Sequence, residues 1–67
     1  MVSFRRYLAR NLRDRRGSRT QESFARKLNI DQASVHRIEI AEQNVTIDML
    51  QKICIALKCN AADLLDR

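Results

Sequence analysis

The sequence of 67 residues contains no proline or tryptophan, only one glycine, and only three aromatic residues of any kind. So few aromatic residues make a poor β-sheet, while abundant Leu, Ile, Ala, Arg and Gln favour helices. A chain of this length has room for one domain with a small core, and a deep catalytic cleft does not fit. We therefore expect one all-α domain over residues 1–67 that is not an enzyme.

Metal ligands and long apolar segments are also scarce. Cys54 and Cys59 accompany a single histidine, which is too few for a four-ligand zinc site or a disulfide framework. We predict free thiols in a reducing cytosol, with Cys54 buried. No apolar run approaches the ~20 residues of a membrane span, and no secretory signal is present. These features predict a cytoplasmic protein that is not bound to a membrane and that has no metal, cofactor or small-molecule ligand.

Charge is plentiful but unevenly distributed. The net charge is +5, yet residues 1–37 carry ten basic against three acidic side chains, a formal +7, and residues 38–67 carry three against five, a formal −2. A one-sided positive field attracts polyanions and speeds encounter with DNA. The alternative is a solvated face that serves only solubility. The asymmetry favours a nucleic-acid partner.

Two short amphipathic segments at about 21–28 and 32–39 are separated by one tight turn. Their inward residues are Phe24, Ala25, Leu28, Ile30, Val35 and Ile38. Asn29 lies at the turn and tolerates a left-handed backbone, while Thr20 and Asp31 are suitable N-caps. This spacing predicts a helix-turn-helix, whose second helix reads the major groove of DNA.

Periodicity predicts three further helices around this motif. The first runs from about residue 3 to 16 and ends at Gly17, which accepts a left-handed cap. The fourth follows Thr46, and a short fifth helix at about 61–66 follows Asn60. Their predicted inward residues are Phe4, Tyr7, Leu8, Leu12, Ile47, Leu50, Ile53, Cys54, Leu57, Leu64 and Leu65.

From Leu12 to Leu65 the chain resembles the Cro/C1-type (XRE) helix-turn-helix family of phage repressors, Cro proteins and restriction–modification controller proteins. The motifs that carry the resemblance are Thr20-Gln21, Phe24-Ala25, Ile30, Val35, Ile38-Glu39, Ile47-Asp48-Met49-Leu50 and Asp63-Leu64-Leu65. The resemblance implies a lambda-repressor-like bundle of five short helices that binds double-stranded DNA. The chain departs from the family at Asn29 and Ala41, where glycine is usual, and at Val45, where proline is common.

The same resemblance assigns base contacts to helix 3, namely to Gln32, Ala33, Ser34 and Arg37. The guanidinium of Arg37 can bond both acceptors of a guanine, Gln32 can pair with adenine, and the Ala33 methyl can touch thymine. The alternative for Arg37 is a solvated or locally paired arginine. For Ser34 the alternative is a capping role, because its hydroxyl follows Asp31 by three residues.

Contacts to the DNA backbone are implied for Gln21, Thr20, Arg10, Arg19, His36, Gln43 and Asn44. In the family, the glutamine at the start of helix 2 also supports the first residue of helix 3, a role that falls on Gln21. His36 has a solvated helix position as its alternative. Arg13 and Glu39 match a semi-buried ion pair that joins helix 1 to the end of helix 3 in phage repressors, the alternative being two separate surface charges.

These patterns predict a bacterial or phage-encoded, nucleoid-associated regulator that binds an approximately palindromic operator as a homodimer. Ile40 lies in a loop and Ile55 lies off the helix 4 core stripe, so both are candidates for the dimer interface. The alternative function is a protein-interaction module, such as an antitoxin that binds its operator only secondarily.

Overall fold

The computed structural model describes residues 3–42 and 44–66, and within these ranges the backbone forms five helices and no strand. The helices are α1 (Phe4–Arg16), α2 (Gln21–Leu28), α3 (Gln32–Glu39), α4 (Ile47–Leu57) and α5 (Ala61–Leu65). The all-α prediction is confirmed, and the predicted bounds agree to within one residue for α1, α2, α3 and α5. No helix in the described ranges is both long and apolar enough to cross a membrane.

Threonine side chains mark where two of the helices begin. The Thr20 hydroxyl oxygen accepts the Ser23 N–H (3.0 Å), and that of Thr46 accepts the Met49 N–H (3.1 Å). Both residues have the extended backbone of an N-cap. Each bond satisfies a backbone donor that has no partner within its helix. The predicted starts of α2 and α4 are confirmed.

The ends of α2, α3 and α4 share one geometry. A residue with a positive φ follows each helix: Asn29 (60°) directly after α2, Lys58 (54°) directly after α4, and Ala41 (61°) one position further on after α3. The next N–H then reaches back to a carbonyl five residues earlier, in the pairs Ile30–Ala25 (3.1 Å), Glu42–Arg37 (2.9 Å) and Cys59–Cys54 (3.1 Å). This is the Schellman pattern of helix termination. Asn29 adopts the predicted left-handed conformation, and Ala41 adopts it without being glycine.

Gly17 ends α1 in a different conformation from the left-handed cap we predicted. Its φ is 56° and its ψ is −124°. The Arg19 N–H donates to the Arg16 carbonyl at 3.1 Å, so the four residues 16–19 form a type II′ turn with glycine in its second position. This turn reverses the chain from α1 into α2.

Every helix contributes to one core. The fully buried side chains include Leu12, Phe24, Leu28, Val35, Ile38, Ile53 and Leu64. α1 packs against α3 and α5, α2 packs against α3 and α4, and α4 contacts α5. The predicted core face of the helix-turn-helix is confirmed except that Ile30 is only partly buried.

Several predicted core residues are more exposed than expected, and Tyr7, Leu50, Leu57 and Leu65 are only half-buried. Phe4 is 59% exposed and Ile47 is 80% exposed, and Cys54 is half-buried rather than buried. Phe4 and Ile47 are the first residues of α1 and α4, and together they line one surface groove. Periodicity identifies the face of a helix but does not reveal where the neighbouring helix ends.

Candidate nucleic-acid interface

The outward face of α3 presents a stripe of exposed side chains. Gln32, Ala33, His36 and Arg37 are exposed, while Val35 lies in the core. Positions 32, 33, 36 and 37 recur at helical spacing and so form a single ridge. A helix about 10–12 Å across fits a major groove about 12 Å wide. Three of the four residues predicted to contact bases therefore lie on one exposed ridge.

Ser34, the fourth residue predicted to contact bases, lies off this ridge. It is 6% exposed, and its hydroxyl donates to Asp31 Oδ1 at 2.6 Å. This geometry matches the alternative role near the start of α3. The hydrogen bond from Ser34 lowers the pKa of Asp31, and the positive charge of Arg37 lowers it further. Asp31 therefore remains ionised at neutral pH, and its carboxylate accepts the bond from the Ser34 hydroxyl.

A buried carboxylate fixes α3 to the two preceding helices. Glu39 is 3% exposed, and its oxygens accept bonds from Arg16 Nε (2.7 Å) and Arg16 Nη2 (3.1 Å). Gln21 Nε2 also donates to Glu39 Oε1 at 3.1 Å. Since Arg16 ends α1 and Gln21 begins α2, this one side chain connects three helices. Paired and hydrogen-bonded burial is the arrangement in which a buried charge is tolerated.

The ion pair therefore exists, but its predicted basic partner was wrong. Arg13 Nη1 donates to the backbone carbonyl of Glu39 at 2.6 Å and not to the carboxylate. Arg16 lies three residues further along α1, about 4.5 Å along the helix axis, where it is level with the carboxylate. Sequence analysis missed Arg16 because α1 has several arginines close together, and their spacing does not distinguish which one reaches Glu39.

Gln21 supports the second half of α3. Besides Glu39, its amide nitrogen lies 3.5 Å from His36 Nδ1. Both partners lie in the last turn of α3, whereas the resemblance implied support of its first residue, Gln32. The contact brings Gln21 and His36 together, and both residues are predicted to contact the DNA backbone.

The start of α2 carries two more of the predicted backbone-contacting residues. Thr20 and Arg19 are both exposed, and Arg19 Nη1 lies 3.3 Å from Ser23 Oγ. Arg16 also donates to the Arg19 carbonyl at 2.9 Å. The turn that carries Arg19 is thus attached to the same arginine that holds Glu39.

The other predicted backbone-contacting residues lie apart from this group. Arg10 Nη2 approaches the carbonyl of Asp66, beyond α5, at 3.5 Å. Asn44 is exposed and lines a groove with Phe4 and Ile47. Gln43 lies outside the described residues. Across the described ranges, no group of three or more His, Cys, Asp or Glu side chains is arranged to hold a metal ion.

Comparison with known proteins agrees with this architecture. A family model described as the Cro/C1-type HTH DNA-binding domain matches residues 9–67. The chain is also similar to the crystal structure of NHTF, a hypothetical transcription factor from Neisseria, with 31% sequence identity and a TM-score of 0.82. That alignment covers 94% of this chain and 75% of the Neisseria chain. No protein of curated function matches the chain.

Proposed function

Because the chain belongs to the Cro/C1-type helix-turn-helix family of DNA-binding domains, we propose that it is a sequence-specific transcriptional regulator of the repressor or controller type. In this proposal, α3 enters the major groove of double-stranded DNA. The observation that carries the proposal is the exposed ridge of α3, which the buried Glu39 contacts hold in a fixed orientation. A fixed orientation matters because base edges are read only when several side chains meet them together.

We assign base readout to Gln32, Ala33 and Arg37. Arg37 is the principal reader, since its planar guanidinium can bond guanine O6 and N7 together. Ser34 is left out because its hydroxyl is already bonded to Asp31. The three remaining side chains lie within six consecutive residues of α3, about 7.5 Å along its axis, a span that matches the few base pairs one recognition helix contacts.

Phosphate contacts in this proposal come first from the start of α2. Thr20, Arg19, Gln21 and His36 surround that helix end, where the helix dipole also favours an anion. Arg10, Asn44 and Gln43 remain candidates further from α3. The formal +7 of residues 1–37 supplies the long-range attraction.

We further propose that two copies bind one approximately palindromic operator with two-fold symmetry. One recognition helix reads too few base pairs for specificity in a genome, and two-fold symmetry places the two helices about 34–36 Å apart, with half-sites centred ~10 bp apart. Ile40 and Ile55 are 46% and 69% exposed, and each supports an apolar contact between copies. Phe4 and Ile47, which line one groove, enlarge the set of candidate interface residues.

Selection of binding sites from random duplexes tests the proposal directly. The wild-type protein should enrich a palindromic sequence, and Arg37→Ala should lose ~1–3 kcal/mol of binding to that sequence while relaxing preference at one symmetric pair of positions. Arg15→Ala is the matched control, because Arg15 is an exposed arginine that belongs to α1 rather than to α3. Failure to enrich any sequence would refute specific regulation.

The phosphate assignments predict a different signature from base readout. Arg19→Ala should weaken binding to all duplexes similarly and reduce the slope of log affinity against log salt by ~0.9 for each phosphate that is no longer neutralised. Measuring affinity for one specific and one unrelated duplex over a salt series separates the two classes of residue. A selective loss on the specific duplex would move Arg19 to the base-reading class.

The second candidate function is a protein-interaction module, such as an antitoxin. The large apolar side chains exposed at Phe4, Ile40, Ile47 and Ile55 favour a protein partner of some kind. Sedimentation of the protein on its enriched duplex tests the two-fold model of the regulator. Two copies per site would support the regulator, whereas one copy per site, or two copies on direct repeats, would contradict the two-fold model.

A further inference from the structure

The two cysteines meet across the end of α4. Cys54 lies in the last turn of the helix, and Cys59 lies just beyond the left-handed residue Lys58. On a continuous helix, residues five apart would lie about 140° apart around the axis. Here the Schellman turn folds the chain back, and the Cys59 N–H donates to the Cys54 carbonyl at 3.1 Å. Residues at these two positions are the ones whose side chains meet in such a turn.

The matching turn after α2 provides an internal comparison. There the Ile30 N–H donates to the Ala25 carbonyl at 3.1 Å, and the two positions hold apolar side chains that belong to the core or pack against it. After α4 the same two positions hold thiols. Both thiols are free and half-buried, and both line the same surface groove. A contact that elsewhere in the fold is apolar is here chemically reactive.

The backbone geometry permits a bond between the two sulfurs. A 3.1 Å hydrogen bond from Cys59 to the Cys54 carbonyl, together with standard bond lengths, keeps the two Cα atoms no more than about 7 Å apart. Disulfides need Cα atoms within about that distance. Both cysteines also line one surface groove, together with Ile55 and Asp63, so a small reagent can reach them.

We propose that Cys54 and Cys59 form a dithiol site that closes to an intramolecular disulfide on reaction with a low-molecular-weight disulfide such as oxidised glutathione. The Cys59 thiolate attacks one sulfur of the reagent, whose S–S bond breaks and releases the first reagent thiol. The Cys54 thiolate then attacks Cys59 Sγ in the mixed disulfide and releases the second. Two protein thiols are oxidised, one reagent disulfide is reduced, and the two cysteine protons finish on the two reagent thiols.

The order of attack follows from the surroundings of Cys54. Burial raises the pKa of the Cys54 thiol, and the facing Cys59 raises it further. The thiolate is the reactive form, so a raised pKa disfavours Cys54 as the first nucleophile and gives it the second, resolving step. No residue of α3 lines the groove that contains both cysteines, so the proposed reaction takes place on the α4–α5 side of the molecule.

The test incubates the full chain with oxidised glutathione near neutral pH, blocks the remaining thiols and measures the intact mass. The expected product is lighter than the reduced chain by two hydrogen atoms and carries no glutathione. Trypsin cleaves after Lys58, between the two cysteines, so the disulfide should join the peptide of residues 53–58 to that of residues 59–67.

Single variants identify the role of each thiol. Cys54→Ser should retain glutathione on Cys59, at a level at least about tenfold above the mixed disulfide seen on the wild type, because the resolving thiol is missing. Cys59→Ser should acquire glutathione on Cys54 more slowly. Wild-type chains that accumulate glutathione on both cysteines, form a disulfide between chains, or remain fully reduced while Cys54→Ser reacts would each overturn the proposal. Failure of DNA binding would not affect this outcome.

Discussion

Residues 3–39 and residues 44–66 are attached to the fold by different kinds of contact. In the first region, the buried carboxylate of Glu39 receives donors from Arg16 and Gln21 and so connects α1, α2 and α3. In the second, apolar side chains such as Ile53 and Leu64 fill the core, and Asn11 of α1 donates neutral hydrogen bonds to the Leu64 carbonyl (2.9 Å) and the Asp66 carbonyl (2.6 Å). Charge-assisted hydrogen bonds are directional, whereas apolar packing is not. Among the described residues, the buried charge-assisted contacts therefore lie at the helix proposed to read DNA.

The second region differs also in what it leaves exposed. Ile47 and Ile55 are 80% and 69% exposed on α4, while the outward face of α3 is mostly polar. The polar face fits a DNA duplex, and the apolar face fits a protein surface. The first region is thus suited to holding the helix proposed to read DNA, and the second region is suited to contact with another chain.

Removing the buried carboxylate should have the largest effect. Glu39→Ala leaves Arg16 and Gln21 without their shared acceptor, and we expect the free energy of unfolding to fall by ~3–5 kcal/mol in urea denaturation. Glu39→Gln, which keeps the shape but not the charge, should lose less. The control is Glu22→Ala, because Glu22 pairs with Arg26 at an exposed position and should cost ~0.5 kcal/mol or less. Equal losses for Glu39→Ala and Glu22→Ala would contradict the buried, connecting role of Glu39.

The next effect distinguishes the two arginines that contact Glu39. Arg16→Ala removes a two-point contact to a charged group and should cost about 2 kcal/mol, since charge-assisted bonds contribute ~1.5–3 kcal/mol. Arg13→Ala removes one bond to the Glu39 carbonyl and should cost about 1 kcal/mol. Parallel urea titrations of the two variants measure the difference. A larger loss for Arg13→Ala would restore the pairing predicted from the sequence.

These arginines also illustrate what the sequence can predict. The helix bounds and the core face followed from local rules, namely caps such as Thr20 and apolar spacing. The buried role of Glu39 followed from the family resemblance. The partner of Glu39 did not. Whether Arg13 or Arg16 reaches the carboxylate depends on where the end of α3 packs along α1, which is a property of the tertiary structure. The prediction that Ile47 faces the core failed for the same reason, since periodicity does not show how the ends of a helix pack.

The contact between Cys54 and Cys59 was hidden for a related reason. The two cysteines are five residues apart, and only the left-handed Lys58 brings them together. Lysine is not a residue from which a left-handed turn is usually predicted, because it pays the steric cost that glycine avoids. The exposed ridge of α3, by contrast, followed directly from the spacing of Val35 and Ile38 on its opposite side.

A smaller effect is expected at the joint between the two regions. Ala41 has a φ of 61°, where an L-residue is strained by about 1–2 kcal/mol and glycine is not. Ala41→Gly should raise the free energy of unfolding by about 0.5–1 kcal/mol once the greater flexibility of unfolded glycine is subtracted. Urea denaturation measures the gain, and Ala33→Gly, inside α3, should instead lose about 0.5–1 kcal/mol. A loss for Ala41→Gly would mean that this turn does not hold its left-handed residue in solution.

The smallest effect on stability should accompany a change at the exposed apolar face. Ile55 is 69% exposed, so Ile55→Gln should change the free energy of unfolding of the single chain by no more than ~0.5 kcal/mol. If Ile55 lies in the proposed contact between two copies, the same variant should still bind a half-site duplex but lose two-copy binding on the full operator. Sedimentation of the protein on each duplex measures both properties, and Lys52→Gln, another exposed residue of α4, is the control. Two copies bound by Ile55→Gln as readily as by wild type would remove Ile55 from the interface and leave Ile40, Ile47 and Phe4 as the apolar candidates.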